Sequence, residues 1–383
     1  MVPFGWDLTE EQELIWQTAR SFAKEKVAAT AASRDAKHEF PHAIVKAMGE
    51  LGLLGIKIPS EWGGADADHI SYVLAMSAIS EACASTGVTL AVCNLFADVL
   101  SKFGSEEQKD RVLRPYLRGE CGPGAFCLSE PEAGSDPAAM RTTARQDGDS
   151  FILNGAKQWI TNGTHAPFYL VFAVTDESLG RKGMSCFLIE KGTPGLVIGA
   201  PEKKMGLRSS DTVPLTFDSC RVSKATLIGE CGQGYSIALS GLDGGRIGIA
   251  AQCIGISEAA LAEGIRYAKD RKAFGQTVAS FQASQMAIAD SKTELDQGWL
   301  LTMRAAYVRD TGKRSARESS MAKLHASEAC GRIVDRMLQL HGGYGYVEEF
   351  PIERLYRDAR VTRIYEGASE IQRMVIAREI LKA

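Results

Sequence analysis

The sequence predicts an α+β multidomain chain in three parts. These are an N-terminal helical domain over residues 1–121, a central antiparallel β domain over 122–230 and a C-terminal helical bundle over 231–383. Three observations carry this reading. Apolar residues recur at helical spacing before Gly122 and again beyond Tyr235. Short β-rich runs punctuated by turns lie between them. A length of 383 residues leaves room for two or three domains.

Taken in order, Thr9 with Gln12 forms a capping-box pattern, and Leu14, Ile15, Thr18 and Phe22 then follow at helical spacing. HAIVKAMGELGLLG reads as a helix ending in glycines, and PSEWGGADADH as a loop. Ile70 to Phe103 holds two Ala-rich helical segments, and Ser105 heads a capped helix closed by Gly119. SFILNG, FYLVFAVT, MSCFLIEK and VPLTFDSCRV read as strands of a small barrel or sandwich. Three long helical patterns begin near Ser236, Phe281 and Glu318, each long enough to pack in a bundle.

The bulk numbers exclude several classes. The chain is 45% hydrophobic and 24% charged with net charge −3, and no like-charge block points to nucleic acid or a membrane surface. The N-terminal MVPFGWDLTEEQ lacks a signal pattern. The most apolar stretches, such as IGIAAQCIGI, read as too short to span a bilayer, so a cytoplasmic location is expected. Nine scattered cysteines, with no CxxC and no zinc spacing, read as reduced and mostly buried thiols, and no metal site is expected.

Nucleotide and hydrolase signatures are absent. GECGQGYS lacks the P-loop lysine, and neither GxGxxG after a strand nor GxSxG occurs. Other stretches each carry two readings. FCLSEPEAGSD, from Phe126, is an opening turn of the β domain or a loop of donors (Ser129, Ser135) beside a heteroaromatic ring. KQWITNG places Trp159 two residues from Thr161, as a core Trp at a strand end or as a ring stacked on a ligand. DRKAFGQ offers Arg271 beside Phe274, as a helix C-cap or a pyrophosphate clamp. QLHGGYGY ends a helix at Gly342 and Gly343, as a sharp stop or a close approach to a ligand. IYEGASEIQR sets Glu366 before small residues, as helix-start charge or as a base on a tight turn.

Together, in this order and spacing, these stretches and LDGGRIGIAAQ resemble the acyl-CoA dehydrogenase family over essentially the whole chain. The resemblance implies an acyl-CoA dehydrogenase fold with a C-terminal four-helix bundle, FAD as cofactor, an acyl-CoA substrate, and a dimer-of-dimers homotetramer. It implies electron transfer to an electron-transfer flavoprotein. Phe126, Leu128 and Ser129 would line the flavin, Trp159 would pack on it, and Thr161 would bond near its reactive nitrogen. Arg271, Phe274, Gln282, Gln339, Gly342 and Gly343 would hold the diphosphate and adenosine across a subunit interface. Ser135, Asp243 and Arg246 would face the acyl-CoA, and Gly367 would let the backbone pass close by.

Glu366 would be the catalytic base, taking the α-proton while the β-hydrogen leaves as hydride to the flavin. Its backbone N–H would help hold the thioester oxygen. Helix-start charge fits Glu370, which also lies in the cofactor-binding segment. The alternative base position of the family is Gly245, which has no side chain to serve. Ala368 stands where the family carries Thr, so one flavin-side hydroxyl is missing. Asp98 is expected to face solvent or a helix end, and otherwise to mark a polar acyl group. Val88 replaces the carboxylate-binding Arg of glutaryl-CoA dehydrogenases, which disfavours a dicarboxylyl substrate. Thr362 and the LDGGRIGIAAQ segment resemble short-chain members, and the small Ser240 suggests a wider pocket. The expected substrate is a short straight or branched acyl-CoA. The rival readings are an oxidase or reductase of this fold, one acting on a cyclic or polar acyl-CoA, and a non-catalytic acyl-CoA-binding homologue.

Overall fold

The computed structural model describes residues 7–382, so the start of the acidic N-terminal stretch lies outside the described residues. Helices α1 (Glu10–Phe22), α2 (Ala29–Lys37), α3 (His42–Glu50), α4 (His69–Ala82) and α5 (Ala84–Phe103) form the first part. The short α6 (Glu106–Gln108) and α7 (Arg114–Leu117) follow, flanking a wider π turn. Both expected capping boxes are present. The Thr9 and Ser105 hydroxyls accept from the backbone N–H groups of Gln12 and Gln108, whose side chains accept in return. Gly119 takes a left-handed φ of 75° beyond α7.

One expectation fails here. Helix α5 is long and apolar enough to cross a membrane by composition, with a mean hydropathy of 1.4 over its best window. Yet 89% of that window is buried inside the fold, so α5 is the core helix of the first part.

The middle part is an eight-stranded sheet. Its strands are β1 (Gly124–Cys127), β2 (Thr143–Asp147), β3 (Ser150–Thr161), β4 (Phe168–Val174), β5 (Met184–Glu190), β6 (Leu196–Ile198), β7 (Thr212–Ser223) and β8 (Leu227–Ile228). The strand order is β6-β7-β3-β2-β4-β5-β8, with β1 paired to β4. The sheet is mixed rather than purely antiparallel. β1 runs parallel to β4, with Gly124 opposite Phe168, and β2 also meets β4 in parallel. Strand β4 is buried on both sides. Leu170 and Phe172 join the core shared with the helices, while Tyr169, Val171 and Ala173 face a second core inside the sheet. That two-faced burial explains why β4 reads as an unbroken apolar run.

The last part is built on α8 (Gly234–Asp270), α9 (Gln282–Asp310), α10 (Ala316–His341), α11 (Pro351–Ala359) and α12 (Ser369–Leu381). A two-residue hairpin pair, β9 (Lys272–Ala273) and β10 (Gln276–Thr277), separates α8 from α9. Helices α8, α9, α10 and α12 pack as the four-helix unit, and α4 and α5 lie against α8. One continuous core therefore joins the first and last parts. Of the nine cysteines, Cys83, Cys93, Cys127, Cys186, Cys220, Cys253 and Cys330 are buried, as expected.

Candidate active site

Glu366 sits on the connection between α11 and α12. Its φ is 53° and that of Gly367 is 89°, two successive left-handed residues. A non-glycine residue held there is strained, and such strain persists only where its surroundings fix it. Two side chains fix it. Gln372 Nε2 donates to the carbonyls of both Glu366 and Gly367 at 3.0 Å, and the buried Lys323 Nζ donates to the Gly367 carbonyl at 2.8 Å. The turn therefore projects the Glu366 side chain inward, towards α8.

There the carboxylate packs against the bare backbone of Gly245. Glu366 Oε2 is buried with no hydrogen-bond partner, and it would lie only 2.6 Å from a Cβ placed on Gly245. Burial raises the Glu366 pKa above the ordinary carboxylate range, and the charges of Arg246 and Lys323 pull against that. Burial likewise pushes Lys323 down to about 8, opposed by Cys253 and Glu366. Arg246 is buried, its Nη1 donates to Asp243 Oδ1 at 2.8 Å, and its Nε has no partner. Gly245 is thus required as glycine. Gly245→Ala is expected to lower turnover roughly 10-fold by displacing the carboxylate, with the melting temperature little changed. Paired activity and thermal-melt measurements check this.

The residues expected to line a flavin gather at one edge of the sheet. The Gln158 backbone N–H donates to the Ser129 carbonyl at 2.9 Å, joining the end of β1 to the end of β3. Lys157 Nζ reaches the Leu128 carbonyl at 3.3 Å from the same strand. A register shift between Lys157 and Ile160 gives Trp159 a φ of 64° and turns its ring outward, 61% exposed. Trp159 is thus no core residue, and Thr161 stays half-buried beside it. Phe126 packs on Phe172 with centroids 4.9 Å apart. Ser135 is exposed on the loop that Asp136 caps.

A second group lies at the far end of the bundle. Arg271 sits over the Tyr344 ring at 5.3 Å, beside Gly342 and Gly343, and pairs with no carboxylate among the described residues. Phe274 is 96% exposed with φ 50°, and its ring meets Phe281, the neighbour of Gln282, at 6.2 Å. Gln282 and Gln339 are exposed as well. Among the described residues, no hydrogen bond, ion pair or ring contact joins this group to the Trp159 edge. Ala368 is the N-cap of α12 with no side-chain bond, and Glu370 is exposed in the first turn. An outward aromatic ring beside backbone and hydroxyl donors, and a cation free of carboxylates, fit the ring and the diphosphate of a dinucleotide.

Sequence reasoning missed several groups. Lys323 and Gln372 carry the turn, and Lys157 with Glu130 carries the sheet edge; Glu130, Lys157 and Gln372 lie inside the stretches singled out above, but their roles depend on partners distant in sequence. Asp98 corrects an expectation. It is buried and pairs with Lys57 at 2.5 Å, with Lys102 at 3.9 Å, instead of facing solvent.

Three family descriptions match in succession. They are acyl-CoA dehydrogenase, N-terminal domain, over residues 9–120, middle domain over 125–220, and C-terminal domain over 232–381. The chain belongs to the acyl-CoA dehydrogenase family, flavoprotein oxidoreductases that use FAD. It is 48% identical to the mitochondrial short-chain specific acyl-CoA dehydrogenase of Mus musculus, over 98% of this chain and 92% of that one. It is 45% identical to a 3-(aryl)acrylate reductase of Clostridium sporogenes, over 98% of this chain and 99% of that one. Among solved structures, it matches a chain in the electron transferring flavoprotein structure from Acidaminococcus fermentans. That match has TM-score 0.97 and 42% identity, over 99% of this chain and 100% of that one.

Proposed function

We propose that this chain is an FAD-dependent dehydrogenase of short-chain acyl-CoA thioesters, with Glu366 as the base that removes the α-proton. The observation that carries the reading is the buried, unpartnered Glu366 Oε2 held over Gly245 by a strained turn. A base with no protein partner, a raised pKa and a fixed direction is suited to a weakly acidic carbon. The Glu366 backbone N–H donates to no acceptor among the described residues, which leaves it free for the thioester oxygen as enolate charge develops. Arg246 stabilises the carboxylate before the proton arrives, and Lys323 with Gln372 keeps the turn from relaxing.

When bound, FAD supplies the acceptor for the β-hydrogen. Leu128, Ser129, Trp159 and Thr161, with Phe126, hold its ring in this reading. Arg271, Phe274, Gln282, Gln339, Gly342 and Gly343 hold its diphosphate and adenosine from a neighbouring subunit, while Ala368 and Glu370 flank it at α12. The separation of the two groups within one chain supports the sharing between subunits, in a homotetramer. Ser135, Asp243, Arg246 and Gly367 serve the CoA thioester. Electrons leave to an electron-transfer flavoprotein, a reading supported by the close match to a chain from such an assembly. The likeness to an acrylate reductase favours a second reading, in which the same site works in the reducing direction.

Anaerobic titration with butyryl-CoA, isobutyryl-CoA and hexanoyl-CoA tests the proposal. Bleaching of the yellow protein by at least one supports it, and a spectrum unchanged by all of them overturns it. The pH dependence has a defined sign. Because Glu366 acts as carboxylate and its pKa is raised, flavin reduction falls as pH drops through a midpoint above ordinary carboxylate values. A profile of reduction rate from about pH 5 to about pH 9 checks this.

A further inference from the structure

Gly241, Gly244, Gly245 and Gly248 lie within one arc of about 100° on α8 and leave a strip of that helix about 10 Å long without side chains. The groups packed against this strip are those that a Cβ at each position would meet. At Gly241 the neighbours are apolar: Leu95 at 2.8 Å, Val99 at 3.2 Å and Phe126 at 3.7 Å. At Gly245 the neighbour is Glu366, and at Gly248 it is Tyr72 Oη at 2.4 Å. At Gly244 three charged atoms converge: Asp98 Oδ2 at 3.6 Å, Arg309 Nη2 at 3.7 Å and Lys57 Nζ at 4.0 Å. The charged cluster therefore lies against α8 at Gly244, next to Gly245, whose missing side chain leaves room for the base.

The cluster is buried and rich in donors. The Lys57 and Asp98 side chains are 6% and 8% exposed. Lys57 Nζ has three donor hydrogens, and among the described residues only the Asp98 carboxylate accepts from it, while the Tyr72 ring lies 4.7 Å away. Arg309 donates to His69 Nε2 at 3.1 Å and to the Ser240 carbonyl at 3.2 Å, and His69 in turn pairs with Asp310 at 2.5 Å. Lys57, Lys102 and Arg309 stand against Asp98 and Asp310, which leaves the cluster with one surplus cation when His69 is neutral. A buried ion pair is rarely worth more to a fold than apolar residues of the same volume. Its placement beside the Glu366 site, with donors unused, points instead to a ligand.

We propose that this cluster recognises an oxygen acceptor at the far end of the acyl group, so that the substrate class is a short acyl-CoA bearing a hydroxyl, keto or carboxylate oxygen beyond the β-carbon. The inference rests on the acyl-CoA dehydrogenase reading of the Glu366 site. It also revises the expectation drawn from Val88. That position supplies no cation, but Lys57 and Arg309 supply two from other elements, so a distal carboxylate is not disfavoured.

The test compares matched ligands on the oxidised FAD holoenzyme. Dissociation constants are measured for crotonyl-CoA and γ-hydroxycrotonyl-CoA, which bind without turnover. Rates of flavin reduction are measured for butyryl-CoA, γ-hydroxybutyryl-CoA and glutaryl-CoA. The proposal expects the oxygen-bearing member to be favoured roughly 10-fold or more in binding and in reduction. Selection of the hydroxyl or of the carboxylate names the acceptor. In the double variant Lys57→Met with Asp98→Leu, the preference is expected to shrink to within about twofold while butyryl-CoA still bleaches the flavin. Equal affinities in the unaltered protein overturn the inference whether or not the double variant folds, and so does a preference that survives in that variant. Bleaching by all the substrates alike leaves the dehydrogenase reading standing and sinks this inference alone. The binding comparison decides the inference even where no substrate bleaches.

Discussion

Glu366→Gln is expected to lower the rate of flavin reduction by acyl-CoA roughly 10³-fold or more, while the protein still purifies yellow. The amide keeps the shape of the side chain but cannot accept a proton from carbon. Little else changes, because Oε2 makes no hydrogen bond within the protein and the turn is held through the Glu366 and Gly367 carbonyls. Burial of the carboxylate opposes its charge, so the neutral amide should leave the melting temperature equal or higher. The result separates chemistry from folding. A variant that loses both colour and stability would show that Glu366 is part of the scaffold.

Lys157→Met is expected to cost about 3–5 kcal/mol of stability, because it strips one partner from a buried ion pair. Lys157 is fully buried and Glu130 is 5% exposed, with Nζ and Oε1 2.7 Å apart. Glu130 also accepts from the backbone N–H groups of Arg141 and Thr142 at 2.7 and 3.0 Å, so the pair clamps the loop that carries Ser129 and Ser135. Loss of the lysine leaves a buried carboxylate short of its cation. Denaturant unfolding at neutral pH measures the loss. Adding Glu130→Gln to the variant should recover part of it, since the remaining group is then uncharged and still accepts hydrogen bonds.

Much of the architecture was legible where local chemistry decides it. Thr9 and Ser105 announced helix starts through side chains that bond to their own backbone, and Gly119 announced a stop as a glycine, which the structure holds at a left-handed φ of 75°. The six stretches that carry the family resemblance led to Glu366 and to Trp159, because their residue types and order are specific. What was hidden depends on partners far away in sequence. The parallel pairing of β1 with β4 leaves no local trace, since a strand's neighbours do not alter its own alternation. Trp159 faces outward because a bulge in β3 breaks that alternation. Asp98 is buried because Lys57, 41 residues earlier, meets it under α8. Helix α5 was read only as one of two apolar segments between Ile70 and Phe103, although its composition would cross a membrane, and the fold neutralises its Asp98 internally.

Removal of the α-proton by Glu366 can be isolated in one measurement. A β-thia acyl-CoA has sulfur in place of the β-carbon and so has no hydride to give. In deuterated water, exchange of its α-hydrogen on the FAD holoenzyme can be followed by proton magnetic resonance, with the Glu366→Gln variant alongside. Steady loss of the α-hydrogen signal is expected with the unaltered protein and a near-constant signal with the variant. Equal exchange in both would contradict this role of Glu366, and would place the base elsewhere.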